Sequence, residues 1–217
     1  MEILTPFQKQ LLKAIGNSPL ADNFYLTGGT ALAAFYLKHR FSEDLDLFSA
    51  DPNAIRLIRP SLETAVQQLN ASLEFSRTFN TFVECFITAQ DGERVKVDFA
   101  YDTPYRLQPT ISNPEFNIQI DNSLDIASNK LSALFGRAAE KDFVDIFFIN
   151  RELMPFHELL PHARQKHVGM DDYWLAIALQ RVRLVKLLPR MIKPLEIAEL
   201  QKYFLSLAQE LMSDIAD

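Results

Sequence analysis

The residues best suited to chemistry in this chain are acidic. Asp44 and Asp46 stand two apart in Asp44-Leu45-Asp46-Leu47-Phe48, where leucines alternate with other side chains. A period of two is strand patterning, and it turns both carboxylates to one face. Like charges held side by side are costly unless a cation lies between them. Magnesium suits such a pair, because it takes hard oxygen ligands and commonly shares a few carboxylates with substrate phosphates. A third acid, Asp98, occupies the polar face of Val95-Lys96-Val97-Asp98-Phe99. Three carboxylates could hold two divalent cations about 4 Å apart, the arrangement that stabilises the attacking and leaving oxygens of an in-line displacement at phosphorus. Asp98 could also take the proton of an acceptor hydroxyl. A solvated strand edge and a surface hairpin acid are the competing readings.

Phosphate chemistry would also need a cradle and cations. Gly28-Gly29 follows an apolar run and precedes Thr30 and the helix-like sequence after it. Glycines there allow close backbone approach, and the first N–H groups of a helix point at an anion; a simple tight turn is the alternative. Lys130 and Arg137 are seven apart, two helical turns, and Lys141 joins them if that helix continues. Such a row could hold a triphosphate, or it could be a solvated basic stripe. Asp142 and Asp145 are better placed to orient these cations than to bind metal.

Positioning these groups requires particular elements. A capping box with proline, Thr5-Pro6-Phe7-Gln8, predicts a helix that stops at Gly16. The spacing then predicts a strand over 24–27, a helix over 30–37, a strand over 44–48 and a helix over 61–70. Strands over 73–78, 82–89, 94–100 and 116–120 follow, with a hairpin at Asp91-Gly92. Beyond them the pattern is helical, over 124–137, 142–148, 171–188 and 194–215, with loops around Pro155, Pro161 and Gly169. The expected division is a catalytic domain, 1–150, and a helical domain, 151–217. Tyr173 and Trp174 are expected in the core, and His157, His162 and His167 at the surface in loops.

Composition bounds the rest. Of 217 residues, 48% are apolar and the formal charge is −6, which argues against a protein that coats nucleic acid over its whole surface. A local basic surface remains open: residues 180–193 carry five cations and no acid. Arg181, Arg183, Lys186 and Arg190 are therefore candidates for RNA contact, against the reading of a solvated helix face. The single cysteine, Cys85, lies among apolar residues and suggests a buried thiol in a reducing cytoplasm. No run of about 18 apolar residues suggests a membrane span.

Taken in order, Tyr25-Leu26-Thr27-Gly28-Gly29-Thr30-Ala31-Leu32, then His39-Arg40-Phe41-Ser42-Glu43-Asp44-Leu45-Asp46-Leu47-Phe48, then Lys130 through Arg137 to Lys141-Asp142-Phe143-Val144-Asp145, resemble the AbiEii/AbiGii toxin family of nucleotidyltransferases. The resemblance spans roughly residues 24–148. It implies an α+β, polymerase-β-like core, a mixed sheet flanked by helices, with a C-terminal helical lobe. It also implies magnesium and a nucleoside triphosphate (NTP) as substrate, and a place in toxin–antitoxin or phage-defence systems whose toxins can modify tRNA. Gly28, Gly29, Thr30 and Ser42 would then meet the nucleotide, Asp44 and Asp46 the metals and Lys130 the triphosphate. Arg40 would support them, and Asp145 matches the acid closing the last motif. Lys141 stands where the family often has arginine, keeping charge but losing the bidentate fork. The expected partners are an NTP, an RNA acceptor such as tRNA and a cognate antitoxin, with no membrane. A transferase acting on a small antibiotic-type acceptor and a silent nucleotide-binding module are the alternatives.

Overall fold

The computed structural model describes residues 2–216, with side-chain surroundings through Ser213. It falls into two compact units, the first comprising residues up to 36 together with 42–122, the second 37–41 together with residues from 123 onward. The chain passes between units at 122/123, and the expected division at 150/151 falls inside one helix of the second unit, Glu140–Glu152.

In the first unit, the Thr5 hydroxyl accepts the Gln8 N–H at 3.1 Å while the Gln8 side chain accepts the Thr5 N–H at 2.9 Å. This box starts α1 (Pro6–Gly16), whose Phe7, Leu11, Leu12 and Ile15 form one buried face. Seven strands follow among the described residues: β1 (Tyr25–Thr27), β2 (Leu45–Ser49), β3 (Ser72–Phe79), β4 (Phe82–Thr88), β5 (Arg94–Tyr101), β6 (Ile111–Asn113) and β7 (Ile118–Ile120). They make one mixed sheet in the order β3-β4-β5-β2-β1-β7-β6, parallel at β2–β5 and β1–β7 and antiparallel elsewhere. Register sets the chemistry: Asp46 lies opposite Asp98 on one side and Thr27 on the other. Leu45, Leu47, Val83, Cys85, Val95, Val97 and Phe99 take the alternate positions and are buried. Helix α3 (Ile55–Gln68) lies against β3, β4 and β5, and α1 against α3 and β7.

Proline and asparagine account for several departures from the expected elements. Helix α3 begins at Ile55 and carries Pro60 inside it, because Ile58, Leu62, Ala65 and Val66 still form a buried stripe. Residues 116–117 turn instead of extending, with Asn117 at φ 51°, so β7 starts at Ile118 and pairs with the unexpected β6. The helix after the glycines is α2 (Gly28–Ala31), which widens into a π-helix over Leu32–Leu37 and ends at Lys38, φ 52°.

The second unit contains α4 (Ser123–Arg137), α5 (Glu140–Glu152), α6 (Phe156–Lys166), α7 (Asp172–Gln180) and α8 (Ile197–Ala216). Helix α6 occupies sequence expected to be loop: Phe156, Leu159, Leu160 and Ala163 bury one face despite Pro161. His157 and His162 are therefore helical. Helix α7 stops well short of residue 188, passing into a single 3-10 turn, Arg181–Leu184. Pro189 disfavours helix at the residue before it, and Val182 and Val185 hold the segment down while Leu184 and Leu187 stay exposed. Among the described residues no helix is long and apolar enough to cross a membrane.

Candidate active site

In the first unit the acid face is built on β2 and β5 and closed by the β1–α2 turn. Gly28 sits at φ 71°, and a Cβ there would lie 1.9 Å from Asp46 Oδ2. Only glycine meets both conditions, so the turn backbone presses directly on the Asp46 carboxylate. Thr30, expected to meet phosphate, is fully buried; its hydroxyl donates to the Asp44 carbonyl and lies 2.8 Å from Ser42 Oγ. It ties the start of the helix to the segment entering β2. Behind the turn the Thr27 hydroxyl donates to buried Asp121 Oδ2 at 2.7 Å, Arg106 pairs with the same carboxylate, and the Tyr36 hydroxyl donates to the Asp121 carbonyl at 2.7 Å. Sequence reading singled out none of these three supports.

Lys96 is the larger omission. Its Nζ lies 2.7 Å from Asp98 Oδ2 and 3.5 Å from Asp44 Oδ2. Burial pulls the Lys96 pKa down, but Asp98, Asp44 and Asp46 outweigh it and raise it above the ordinary lysine value. Asp98 Oδ1 is buried and has no hydrogen-bond partner. Among the described residues no three His, Cys, Asp or Glu side chains converge as a ready-made metal cage. The signal for Lys96 was present in its spacing, two residues before Asp98 on a strand. On the buried face of β4, burial pushes the Cys85 thiol up to about 12, leaving it inert.

In the second unit, Asp145 is the hub. It is fully buried and accepts both Arg40 Nε at 2.7 Å and Arg40 Nη2 at 2.9 Å, with Lys130 Nζ 2.7 Å from its Oδ2 and His39 Nε2 2.8 Å from its Oδ1. Arg40 Nη1 also donates to the Phe41 carbonyl. Burial, the largest influence on Asp145, pushes its pKa up, yet Lys130, His39 and Arg40 together hold it well below the usual carboxylate range. Desolvation lowers the His39 pKa despite that carboxylate, so His39 is neutral near pH 7. Its Nε2 then donates to Asp145, leaving Nδ1 a buried acceptor with no partner.

The helix that carries Lys130 and Arg137 does not continue to Lys141. Helix α4 ends at Arg137, because Ala138 adopts φ 49°, and Lys141 lies exposed in the first turn of the next helix. Arg137 makes a fork to buried Asp142, with Nε–Oδ2 and Nη2–Oδ1 both 2.7 Å. Lys166 and Asp125, 2.5 Å apart and both buried, tie α6 to α4. His167 Nε2 lies 3.3 Å from Asn129 Oδ1, with nothing resembling a metal site around it.

Arg181, Arg183, Lys186 and Arg190 are all exposed. They occupy the 3-10 turn and the irregular segment after it, so the basic surface is not the face of a helix. Arg190 stacks 4.1 Å above Phe41. Tyr173 and Trp174 are exposed, contrary to expectation: the buried stripe of α7 is Leu175, Ala176, Ala178 and Leu179, and both aromatics fall outside it.

Comparison with known proteins bears on this arrangement. The family model described as "Nucleotidyl transferase AbiEii toxin, Type IV TA system" matches residues 10–215. A protein of Aquifex aeolicus (strain VF5), named uncharacterized protein aq_aa25, is 31% identical over 156 residues, 70% of this chain and 69% of that one. Among solved structures, a candidate nucleotidyltransferase from H. pylori superposes with a TM-score of 0.61 at 18% identity, covering 96% of this chain and 92% of the other. MenT4, a nucleotidyltransferase toxin from Mycobacterium tuberculosis H37Rv, superposes with a TM-score of 0.54 at 16% identity, covering 94% and 85%. These structures share the α+β nucleotidyltransferase fold. The chain belongs to the nucleotidyl transferase AbiEii toxin family and is a nucleotidyltransferase.

Proposed function

We propose that the protein moves a nucleoside monophosphate from an NTP to an RNA acceptor such as tRNA, with magnesium held by Asp44, Asp46 and Asp98, as the toxin of a toxin–antitoxin system. The observation that supports this most is the register that sets Asp46 beside Asp98 with the Gly28 backbone against Asp46. The donor chemistry fits a hard divalent cation: Asp46 and Asp98 are register partners on β2 and β5, Asp44 stands two residues before Asp46, and Asp98 Oδ1 is buried without a partner. When bound, such cations would neutralise charge developing on the phosphoryl oxygens. An acceptor oxygen attacks the α-phosphorus, the bond to the β-phosphate oxygen breaks and pyrophosphate leaves. Asp98 takes the acceptor proton, and Gly28 and Gly29 leave room for phosphate against the backbone. Thr30 and Ser42 act through the position they give Asp44.

In the second unit, Lys130 and Arg40 meet at buried Asp145, which holds both side chains in place. The family likeness supports assigning Lys130 to the triphosphate, with Arg137 and Lys141 as further cations on the same polyanion. The RNA acceptor and an antitoxin partner follow from the family description and the likeness to MenT4.

The test is to incubate the protein with magnesium, each labelled NTP in turn and total bacterial RNA, beside Asp44→Asn. Label should enter an RNA band with the unmodified protein alone. Label on a small hydroxylated compound instead of RNA would redirect the acceptor, and no product with any triphosphate would leave a silent nucleotide-binding module.

A further inference from the structure

The acid face already carries a cation of its own. Lys96 and Asp98 are two apart on β5 and share a face, and Asp46 lies opposite Asp98 across β2. The Lys96 ammonium is 2.7 Å from Asp98 Oδ2 and 3.5 Å from Asp44 Oδ2, on a side chain only 26% exposed. Two carboxylates thus hold one ammonium, and a third, Asp46, lies beside Asp98 in the sheet. A divalent ion approaching this face would meet a positive charge already bound to two of the oxygens it needs.

We propose that Lys96 is a built-in competitor for the metal, which must surrender Asp98 and Asp44 before a divalent cation loads and which thereby couples loading to the arrival of nucleotide phosphates. Phosphates favour the exchange twice over, as further oxygen ligands for the cation and as a new anionic partner for the released ammonium. The inference rests on the reading of Asp44, Asp46 and Asp98 as metal ligands. A merely structural ion pair would make Lys96 contribute to folding without opposing the metal.

The experiment uses the full chain, stripped with chelator and titrated with Mn²⁺ under electron paramagnetic resonance, with and without inorganic tripolyphosphate. Wild type, Lys96→Met and Asp44→Asn are compared. Removing a positive charge this close to the ligands should tighten Mn²⁺ binding by about tenfold or more in Lys96→Met. The same variant should gain less from tripolyphosphate than wild type does. Binding no tighter in Lys96→Met, with Asp44→Asn abolishing it, would overturn the competitor role and leave the metal site standing. No Mn²⁺ binding by wild type or Lys96→Met, even with tripolyphosphate, would overturn the metal reading and this inference with it. Should Lys96→Met not fold, acylation of Lys96 in the unmodified protein, followed by mass spectrometry, gives the same answer. Saturating Mn²⁺ should speed labelling several-fold, whereas an unchanged rate would overturn the proposal.

Discussion

Burial by itself would protonate Asp145, because a carboxylate with no solvent exposure loses its hydration. Three partners from distant sequence reverse the outcome: the Arg40 fork, Lys130 and His39. Removing the carboxylate as Asp145→Asn strands two buried cations, a defect that costs on the order of 3–5 kcal/mol. Denaturant unfolding should show that loss; a change below about 1 kcal/mol would mean the cluster is solvated. Acid sensitivity follows from the same group of residues. For Asp145 the folded pKa is depressed, so its contribution is present above the unfolded value of about 3.9 and is lost as pH falls through the lower folded value. For His39 the folded pKa is also depressed, so its contribution is complete above about 6.5 and is lost first on acidification. Melting temperature should therefore hold steady from pH 8 to 7 and fall between 6.5 and 5, with His39→Gln removing the slope in that window. A slope of equal size in the variant would exclude His39 as its source.

The β1–α2 turn shows how an element controls a side chain it does not contain. A methyl group at Gly28 would meet Asp46 Oδ2 and Cγ at 1.9 and 2.6 Å, in addition to the strain of φ 71°. Gly28→Ala should therefore cost about 1–2 kcal/mol of stability from the backbone conformation. It should also cut nucleotidyl transfer by about a hundredfold, because the carboxylate is displaced by roughly an ångström. Melting curves and single-turnover rates separate the two effects, and a rate loss no greater than the fraction unfolded would remove the turn from the chemistry. This unit was legible in the sequence because a strand, two glycines and a helix are local signals, and a period of two marked β2 to within a residue. The β6–β7 hairpin was missed because β6 has three residues and the turn depends on Asn117 at positive φ. Helix α6 was missed because Pro155 and Pro161 read as breakers, while its buried stripe carries it past Pro161. The Asp145 cluster lay beyond sequence reading for another reason: Arg40 and Asp145 are 105 residues apart, and only the placement of Leu37–Phe41 in the second unit brings them together.

At the scale of the whole molecule, the question is how a chain of net charge −6 would hold a polyanionic acceptor. Non-specific attraction is unfavourable, so RNA would have to be held by a local concentration of cations. Residues 180–193 supply one, with no acid among them. The structure changes how that segment is understood. Arg181, Arg183, Lys186 and Arg190 spread over a 3-10 turn and an irregular segment, with Leu184 and Leu187 exposed at 72% and 79% between them. An irregular, cation-bearing strap suits a flexible single strand or loop, whose bases can also cover exposed apolar side chains. Arg183→Glu with Lys186→Glu should then weaken transfer to RNA, while leaving NTP binding and the melting temperature unchanged, since both residues are exposed. Losing two phosphate contacts should flatten the logarithmic dependence of RNA affinity on salt by about 1.4, the increment for single-stranded nucleic acid. An unchanged salt slope would place the acceptor elsewhere on the molecule. A flattened slope with unchanged transfer would mean that this strap holds RNA in a mode that does not lead to reaction.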